Sequence, residues 1–593
     1  MEILRTVVEP LLTEALKSIG VQNAHWKKML VPSRERDQGD LSLPCFPFAK
    51  QLGQAPDTIA EKIAQALQSA PAIGEVNAVA GYLNIKANPQ WIASKVIDGQ
   101  IRIGDARGNL SSNDREVLIE HTSANPNGPF HVGRARNAIL GDTLVRLHRL
   151  YGNKVRAEYY VDDMGKQVAV LAWALENMTK SEVDSLLNND DSNNPQWAGK
   201  ADHERVRWYQ AAQLARQERD DKQAIEDEIS RMVHASENGD QQVLQSFESA
   251  YQPVLDGMLT TLERLGIKFD TFTKESKFVI NGDVARLMEQ FAGLEIHGTA
   301  DNGAQFLDLG ARGLKGKTEF FFRRGDGSSL YATRDIAYHI WKWSQSDQLI
   351  NVLGEDHKLQ AKQVGLTLKE LGQKAPQVMF YSFIKLPEGK MSTRKGNVVF
   401  MDDLLEEAKA QAAAVVAELR PDYSAEQVLE IAEAAGTSAV RFNIIKVSPD
   451  KGFTFRWEEA LAFEGGSAPF VMYSHARSCS IAKKCIDSGI DIDAVMSQDA
   501  IDIPSEMPVG LVELLRSIAV HNDILEKAVI DRRPHLFANQ LLHLSTAFNS
   551  FYRDCMILND GEVNKFNFRI SQTARALMRT AMEGLGLIPL EKM

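Results

Sequence analysis

Two short stretches of this sequence carry side chains suited to holding phosphate. The first is Pro129-Phe130-His131-Val132-Gly133-Arg134. A histidine and an arginine offer donors to phosphate oxygens, and the glycine between them lets a flat ring or a phosphate come close to the backbone. The second is Lys390-Met391-Ser392-Thr393-Arg394-Lys395-Gly396-Asn397. Its cations, hydroxyls and glycine suit an anion-binding loop that clamps a leaving pyrophosphate, whose charge grows in the transition state. Taken singly, each has an ordinary explanation: a helix start with a surface histidine, or an exposed basic hairpin. A third stretch, Gly313-Leu314-Lys315-Gly316-Lys317-Thr318, ends like a P-loop. It is rejected because Ala311 stands where the first glycine belongs and a hairpin pattern follows where a helix is needed.

The surrounding pattern says what positions them. Val117-Leu118-Ile119-Glu120 reads as a short apolar strand, and Ser123 to Pro129 as a turn-rich loop. From His131 the spacing of Val132, Ala135, Ile139, Leu140, Leu144 and Leu147 is helical, up to a stop at Gly152. The first stretch therefore lies where a strand passes into a helix, with free N–H groups and the helix dipole facing an anion. Val155 to Val161 reads as the next strand, and strand–loop–helix–strand opens a parallel α/β sheet. Leu349 to Leu353 and Val378 to Ile384 are further strands, the latter leading into the Lys390 stretch. Between about 165 and 275 the chain is helical and heavily charged, with a polar loop at Asn188 to Pro195, and reads as an insertion. Phe320-Phe321-Phe322 and Leu330-Tyr331 flank Gly325-Asp326-Gly327, the pattern of a β-hairpin.

The ends differ from this core. Residues 1 to about 105 mix helical and strand-like pieces, closing on a strand at Gly81 to Lys86, and Gly104 to Asp114 reads as a linker. From Met401 onward the pattern is helical, including Val471 to Lys484 and Phe537 to Tyr552; Phe548, Phe551 and Tyr552 are read as core. The expected fold class is α/β and multidomain. An α+β N-terminal domain spans 1–105, and a Rossmann-like parallel-sheet catalytic core spans 115–405 with its helical insertion at about 165–275. A helical connector spans 406–465 and an all-α C-terminal bundle 466–593.

Composition narrows the class. With 44% hydrophobic and 25% charged residues among 593, the chain is built to fold. No two of Cys45, Cys479, Cys485 and Cys555 stand in a CxxC pair, which speaks against zinc and against a disulfide framework. The first helix, interrupted by Glu2, Glu9 and Glu14, is not a signal peptide. The net charge of −12 argues against a nucleic-acid partner only if it is uniform, and local basic pairs such as Arg323–Arg324 and Arg532–Arg533 show that it is not.

In this order, the two phosphate-handling stretches resemble the paired signatures of class I aminoacyl-tRNA synthetases, written HIGH and KMSKS. Arg134 replaces the second histidine and Thr393 the second lysine, whose role falls to Arg394 or Lys395. The segments His121–Leu144, Asp326–Tyr338, Lys390–Asn397, Phe470–Ile481, Ala547–Cys555 and Gly584–Met593 resemble the arginyl-tRNA synthetase family in particular. The resemblance implies ATP-dependent ligation of L-arginine to tRNA(Arg) through an arginyl-adenylate. It implies Mg²⁺ with the ATP, no zinc and no metal-ligand set. It implies catalytic roles for His131, Gly133, Arg134, Lys390, Ser392, Arg394 and Lys395, and ATP binding by Pro129, His131, Gly133, Lys390 and Met391. Arginine would be bound by Glu120, Asn125, Tyr331 and Asp335, with His357 beside them. Two acids, an amide and a phenol suit a planar cation with five donors. Tyr82 and Asn84 are implied as tRNA contacts of the N-terminal domain, and Tyr473, Ala476 and Arg477 of the C-terminal bundle. The expected setting is a cytoplasmic monomer with no membrane partner. Among rivals, a glutamate-specific class I enzyme fits badly with an acidic pocket, and a cysteine-specific one with the lack of zinc-spaced cysteines. A non-catalytic tRNA-binding paralogue fits badly with intact His131, Gly133 and Lys390.

Overall fold

The computed structural model describes residues 1–22, 25–33, 38–67, 70–99, 115–187, 195–385, 399–462, 465–497, 501–559 and 561–593. Its contacts fall into two compact units. One comprises 111–461 with 584–587, the other 1–110 with 462–583 and 588–593.

The first unit is built on five parallel strands: β1 (Glu116–Glu120), β2 (Lys154–Val161), β3 (Thr271–Lys274), β4 (Gln348–Gly354) and β5 (Gln377–Tyr381). Their order across the sheet is β5-β4-β1-β2-β3. Val117, Leu118 and Ile119 of β1 and Leu349, Ile350 and Val352 of β4 are all buried, as expected for strands covered on both faces. The chain leaves β1 to one side and returns as β4 on the other. The crevice beyond the carboxyl ends of β1 and β4 is thus the topological switch point, where ligands bind in open α/β sheets.

The motif helix, Val132–Tyr151, starts at His131 as N-cap and ends at Gly152 with φ 102°. It lies flush on the end of β1 because Gly141 has no side chain; a Cβ there would sit 2.2 Å from that of His121. Four long helices, Lys166–Asn177, Ala201–Glu218, Lys222–Glu237 and Gln241–Arg264, fall between β2 and β3, inside the expected insertion.

The expected hairpin around Gly325–Gly327 is only half formed. Glu319–Arg323 is a strand, but it pairs antiparallel with Gln305–Asp308, which pairs in turn with His297–Thr299. The turn itself is tight, with Arg324 N–H donating to Ser328 O at 2.8 Å. The chain then leaves as a helix, Tyr331–Trp343, because the Phe322 carbonyl takes both the Leu330 N–H and the Thr333 hydroxyl and so starts a helical turn. Ile336, Ala337 and Tyr338 drive this pocket helix into the core. Helices Met401–Leu419 and Ala425–Ile445, the latter opened by a Ser424/Gln427 capping box, complete the unit.

The second unit joins a four-stranded antiparallel sheet to the C-terminal helices. Its strand order is Val31–Pro32, Leu41–Pro44, Tyr82–Ala87, Ile73–Val79. Asp40 meets Arg516 at 3.5 Å, and Arg569 donates to Ile97 O at 3.0 Å, tying the sheet's surroundings to the bundle. Among the described residues no helix is long and apolar enough to cross a membrane.

Candidate active site

Beyond the carboxyl ends of β1 and β4 lies a cavity of about 280 Å³. It brings together all five residues implied for arginine: Glu120, Asn125, Tyr331, Asp335 and His357. Glu120 ends β1, Asn125 sits in the following loop, Tyr331 and Asp335 occupy the first turns of the pocket helix, and His357 follows β4. Asp335 points one carboxylate oxygen at His339 Nδ1, 3.1 Å away. Burial pushes its pKa up, but the neighbouring His339, the Lys342 charge and the Gln360 amide outweigh it, so the carboxyl is held below its ordinary value and stays charged. Glu120 pairs with Lys342 at 2.6 Å and accepts from the Ser123 hydroxyl at 3.2 Å. Asn125 spends its NH₂ on Gln167 at 3.0 Å, which leaves its carbonyl oxygen as an acceptor for an ammonium. Tyr331 is exposed at the cavity mouth, and His357 stands half-exposed at the rim with Gln360 at 3.2 Å.

The loop leaving β1 is strained. Thr122 and Ser123 have φ of 68° and 39°, a left-handed conformation that costs a non-glycine residue ~1–3 kcal/mol. Asn137 of the motif helix holds it there. Its Oδ1 takes the Thr122 N–H at 2.7 Å, while its Nδ2 donates to Val352 O of β4 at 2.9 Å. That one amide fixes β1, β4 and the motif helix around the crevice.

The His131 segment meets the nucleotide side. The His131 ring folds back over Gly133, where a Cβ would lie 3.0 Å from Nδ1. Burial, with the Arg134 charge, pushes the imidazole pKa down to about 4, so near neutral pH the ring is an uncharged donor. Arg134 reaches the Asn125 backbone carbonyl at 3.4 Å, leaving the side-chain oxygen free, and so links the phosphate side to the amino-acid side. Pro129 precedes this segment in the same loop. Lys390, Met391, Ser392, Arg394 and Lys395 lie outside the described residues. Both flanks of their segment are described, and both are fastened to the His131 region. Val132 N–H donates to Val399 O at 2.9 Å and Met401 N–H to Phe130 O at 2.7 Å. On the other flank the fully buried Arg136 donates to the Ser382 carbonyl and, at 3.0 Å, to Ser448 O.

Among the described residues one group could hold a metal by geometry: Asp202, His203 and Asp402. The ammonium of Lys200 already stands in it, 2.9 Å from Asp202 and 2.7 Å from Asp402. The cluster is an internal ion-pair network already bridged by a lysine.

In the second unit Tyr82 is exposed and packs edge-on against exposed Phe46, ring centres 5.3 Å apart. Asn84 is buried in the sheet between its two neighbouring strands, so the side chain expected to contact tRNA is not exposed in this arrangement. Tyr473 and Arg477 share an exposed face, where the guanidinium lies 4.8 Å from the Tyr473 ring and 5.1 Å from that of Tyr552. Ala476 turns into the core. Phe548 and Phe551 are core as expected, but Tyr552 is 40% exposed and belongs to the Arg477 stack. Sequence reading took Tyr552 for core and passed over Phe46, Gln360, Asn351, His339 and Lys342. The last two follow Asp335 by four and seven residues, which is same-face helical spacing and the one signal that could have found them.

Comparison with known proteins follows the same lines. Residues 100–457 match the family model described as tRNA synthetases class I (R), catalytic domain. Residues 471–593 match a DALR anticodon binding domain, and 6–87 an arginyl tRNA synthetase N terminal domain. The chain is 38% identical over 566 residues to the arginine–tRNA ligase of Methanocella arvoryzae, covering 95% of each protein. It is 37% identical to that of Methanococcoides burtonii, covering 98% of each. Its fold is similar to that of Thermus thermophilus arginyl-tRNA synthetase, with a TM-score of 0.77 at 23% identity over 99% of this chain and 100% of that one. The Plasmodium falciparum arginyl-tRNA synthetase structure is similar too, with a TM-score of 0.76 at 16% identity over 99% of each.

Proposed function

The chain belongs to the arginyl-tRNA synthetase family of class I ligases, and from that premise we infer how its crevice performs ATP-dependent ligation of L-arginine to tRNA. The guanidinium enters between Asp335 and Glu120, with the Tyr331 hydroxyl as a further acceptor and His357 closing the rim. The α-ammonium takes the free Asn125 carbonyl oxygen. This leaves the arginine carboxylate facing the His131 side, where ATP lies against Pro129 and Gly133.

A carboxylate oxygen of arginine attacks the α-phosphorus. The bond from that phosphorus to the bridging oxygen breaks, and pyrophosphate leaves with the electron pair. The terminal adenosine hydroxyl of the tRNA then attacks the arginyl carbonyl and releases AMP. No side-chain nucleophile takes part. His131 and Arg134 donate to phosphate oxygens as charge develops, joined by Lys390, Ser392 and either Arg394 or Lys395, with Met391 assigned to ATP binding. The protein's contribution is positioning and charge stabilisation. Mg²⁺ arrives as the counter-ion of ATP, held chiefly by phosphate oxygens.

The observation that supports this reading most is that residues from four separate elements, chosen for one ligand, line one cavity. An acidic floor opposes a glutamate side chain and suits a guanidinium. We assign tRNA contacts to the exposed Tyr82 and to Tyr473 and Arg477, within an N-terminal domain at 1–105 and a bundle at 466–593. The working unit in this reading is a cytoplasmic monomer, which light scattering of the purified enzyme checks. Pyrophosphate exchange into ATP, run with tRNA present, tests the whole. It should depend on arginine and not on lysine, glutamate or cysteine; exchange driven by another amino acid overturns the assignment.

A further inference from the structure

Beneath the cavity a lysine is buried outright. Lys342, on the pocket helix, has a side-chain exposure of 0%. Its ammonium has three N–H donors and no acceptor, and each donor finds a partner. These are Glu120 Oε2 at 2.6 Å, Asn351 Oδ1 at 3.1 Å and His339 Nε2 at 3.2 Å. The Tyr338 ring lies 4.2 Å below it. A cation this deep is costly and persists only where its partners are fixed.

The lysine decides the sense of every bond around it. Asn351 must turn its oxygen to the ammonium, so its NH₂ faces His339 Nε2 at 2.7 Å. Two donors then converge on Nε2, which must be the acceptor, and the ring proton lies on Nδ1. Nδ1–H points at Asp335, 2.8 Å from its backbone oxygen and 3.1 Å from its carboxylate. The chain of donors runs from Lys342 through Asn351 and His339 to Asp335, while a second bond runs from Lys342 directly to Glu120.

We propose that Lys342 is the positioning residue of the amino-acid pocket: one buried cation that aims both guanidinium-binding carboxylates, Glu120 by direct pairing and Asp335 through Asn351 and His339. This rests on the reading of the cavity as the arginine site and adds to it a residue that never touches the substrate. The other two acids of the cavity, Asp162 and Glu275, are both held above the ordinary carboxyl value, chiefly by burial. The charged and titratable groups facing Glu120 are Lys342, His339, Asp335 and Tyr338 from the pocket helix and Glu158 and Tyr160 from β2. Glu158, beside Glu120 in register, is held above the ordinary carboxyl value by burial and by the Glu120 charge. Lys342 is the cation that pairs with Glu120 beside that neighbour.

The test is full-length Lys342→Met, assayed by arginine-dependent pyrophosphate exchange with tRNA between about pH 6 and pH 8.5. Loss of the cation leaves Glu120 beside Glu158 without a counter-charge, so arginine binding should weaken further as the pH falls. The KM for arginine should rise about 100-fold near neutral pH and further at the acid end, while the KM for ATP stays within about twofold. Combined with Asp335→Asn, the two effects on arginine KM should fall short of multiplying, because the part of the Lys342 effect that runs through Asn351 and His339 acts on the carboxylate already changed, while the Glu120 part remains. A merely structural lysine would shift both KM values together, give no pH slope and multiply with Asp335→Asn; that result overturns the proposal. If Asp335→Asn alone leaves arginine KM unchanged, the pocket reading fails instead. Should Lys342→Met not fold, Asn351→Leu keeps the cation and its Glu120 bond but cuts the path to His339. It should raise arginine KM about 10-fold without a pH slope, and an unchanged KM overturns the relay.

Discussion

Asp335→Asn and Glu120→Gln remove one charge each from the same cavity, yet the structure separates their consequences. In Asp335→Asn the volume is kept and the new amide oxygen still accepts from His339 Nδ1. The loss is the charge facing the guanidinium. A unit pair about 4 Å apart in an effective dielectric near 20 is worth roughly 4 kcal/mol. Truncating one partner of a desolvated, hydrogen-bonded pair costs ~2–5 kcal/mol. About 3–4 kcal/mol is therefore expected, a ~10²–10³-fold weaker Kd for arginine, with ATP and tRNA binding near normal. The fold should lose only ~1 kcal/mol, because Asp335 is 26% exposed and keeps a neutral hydrogen bond. In Glu120→Gln the ammonium of Lys342, at 0% exposure, loses its counter-ion, and a stranded buried charge costs ~3–5 kcal/mol of stability. Arginine titration calorimetry and thermal melts on both variants read the difference: equal affinity losses, but a Tm drop several times larger for Glu120→Gln. The pH sign follows from Asp335 being held below the ordinary carboxyl value. Its stabilising charge is present above the unfolded carboxyl pKa and is lost only as the pH falls through the lower folded value, so wild-type arginine affinity should stay flat through the ordinary carboxylate range. Near-normal arginine affinity in Asp335→Asn, or equal melting losses in the two variants, would refute the reasoning.

Lys390→Ala and Arg394→Ala should each slow adenylate formation by about 100-fold, on the order of 3 kcal/mol for a lost transition-state donor, with arginine KM little changed. An effect confined to KM in single-turnover assays would mean that the loop holds only the ground state. Resemblance to the arginyl family implies that exchange with ATP and arginine alone is nearly absent and appears on adding cognate tRNA. The activation should weaken as salt rises, since docking releases counter-ions, and equal rates without tRNA would end the coupling argument. Tyr552→Ala should weaken tRNA binding about 10-fold by removing one wall of the Arg477 stack, leaving tRNA-free arginine and ATP binding intact. Filter binding that matches wild type would return Tyr552 to a purely structural role.

What could be read from the chain divides by physical cause. β1 and β4 are short apolar runs buried on both faces, so burial alone wrote them into the sequence. Asp335 and Tyr331 came from the family resemblance alone: Leu330-Tyr331 reads as a hairpin strand in the sequence, and only the structure puts both residues on one helix face. Other features left no such trace. The half-formed hairpin turns on where one carbonyl, that of Phe322, sends its hydrogen bonds, and no pattern of apolar residues records that choice. Thr122 and Ser123 adopt a left-handed backbone with no glycine to advertise it, because Asn137, fourteen and fifteen residues further on, imposes it. Asn84 and Tyr552 exchanged their expected environments for a simple reason: strand alternation and helical spacing give relative faces, and only the packing decides which face meets solvent.

Lys342 shows the limit most clearly. A lysine in a helix reads as a solvated residue, and this one sits in Trp341-Lys342-Trp343, near the end of its helix, where a cation also suits the dipole. The reason it is buried lies in residues 222 positions earlier and 9 later, Glu120 and Asn351, which the sheet brings together by placing β1 beside β4. The pairing of those two strands is what makes the switch point, and the same pairing supplies the lysine's acceptors. The crevice and the charge beneath it therefore have one structural origin. In the proposed pocket, lysine as a substrate would leave unpaired some of the acceptors assigned to the five-donor guanidinium, a mismatch that sites of this kind convert into ~10⁴-fold or greater discrimination without editing. That discrimination needs acceptors that do not reorient, and a network whose every donor is fixed by one buried ammonium is what keeps them from doing so.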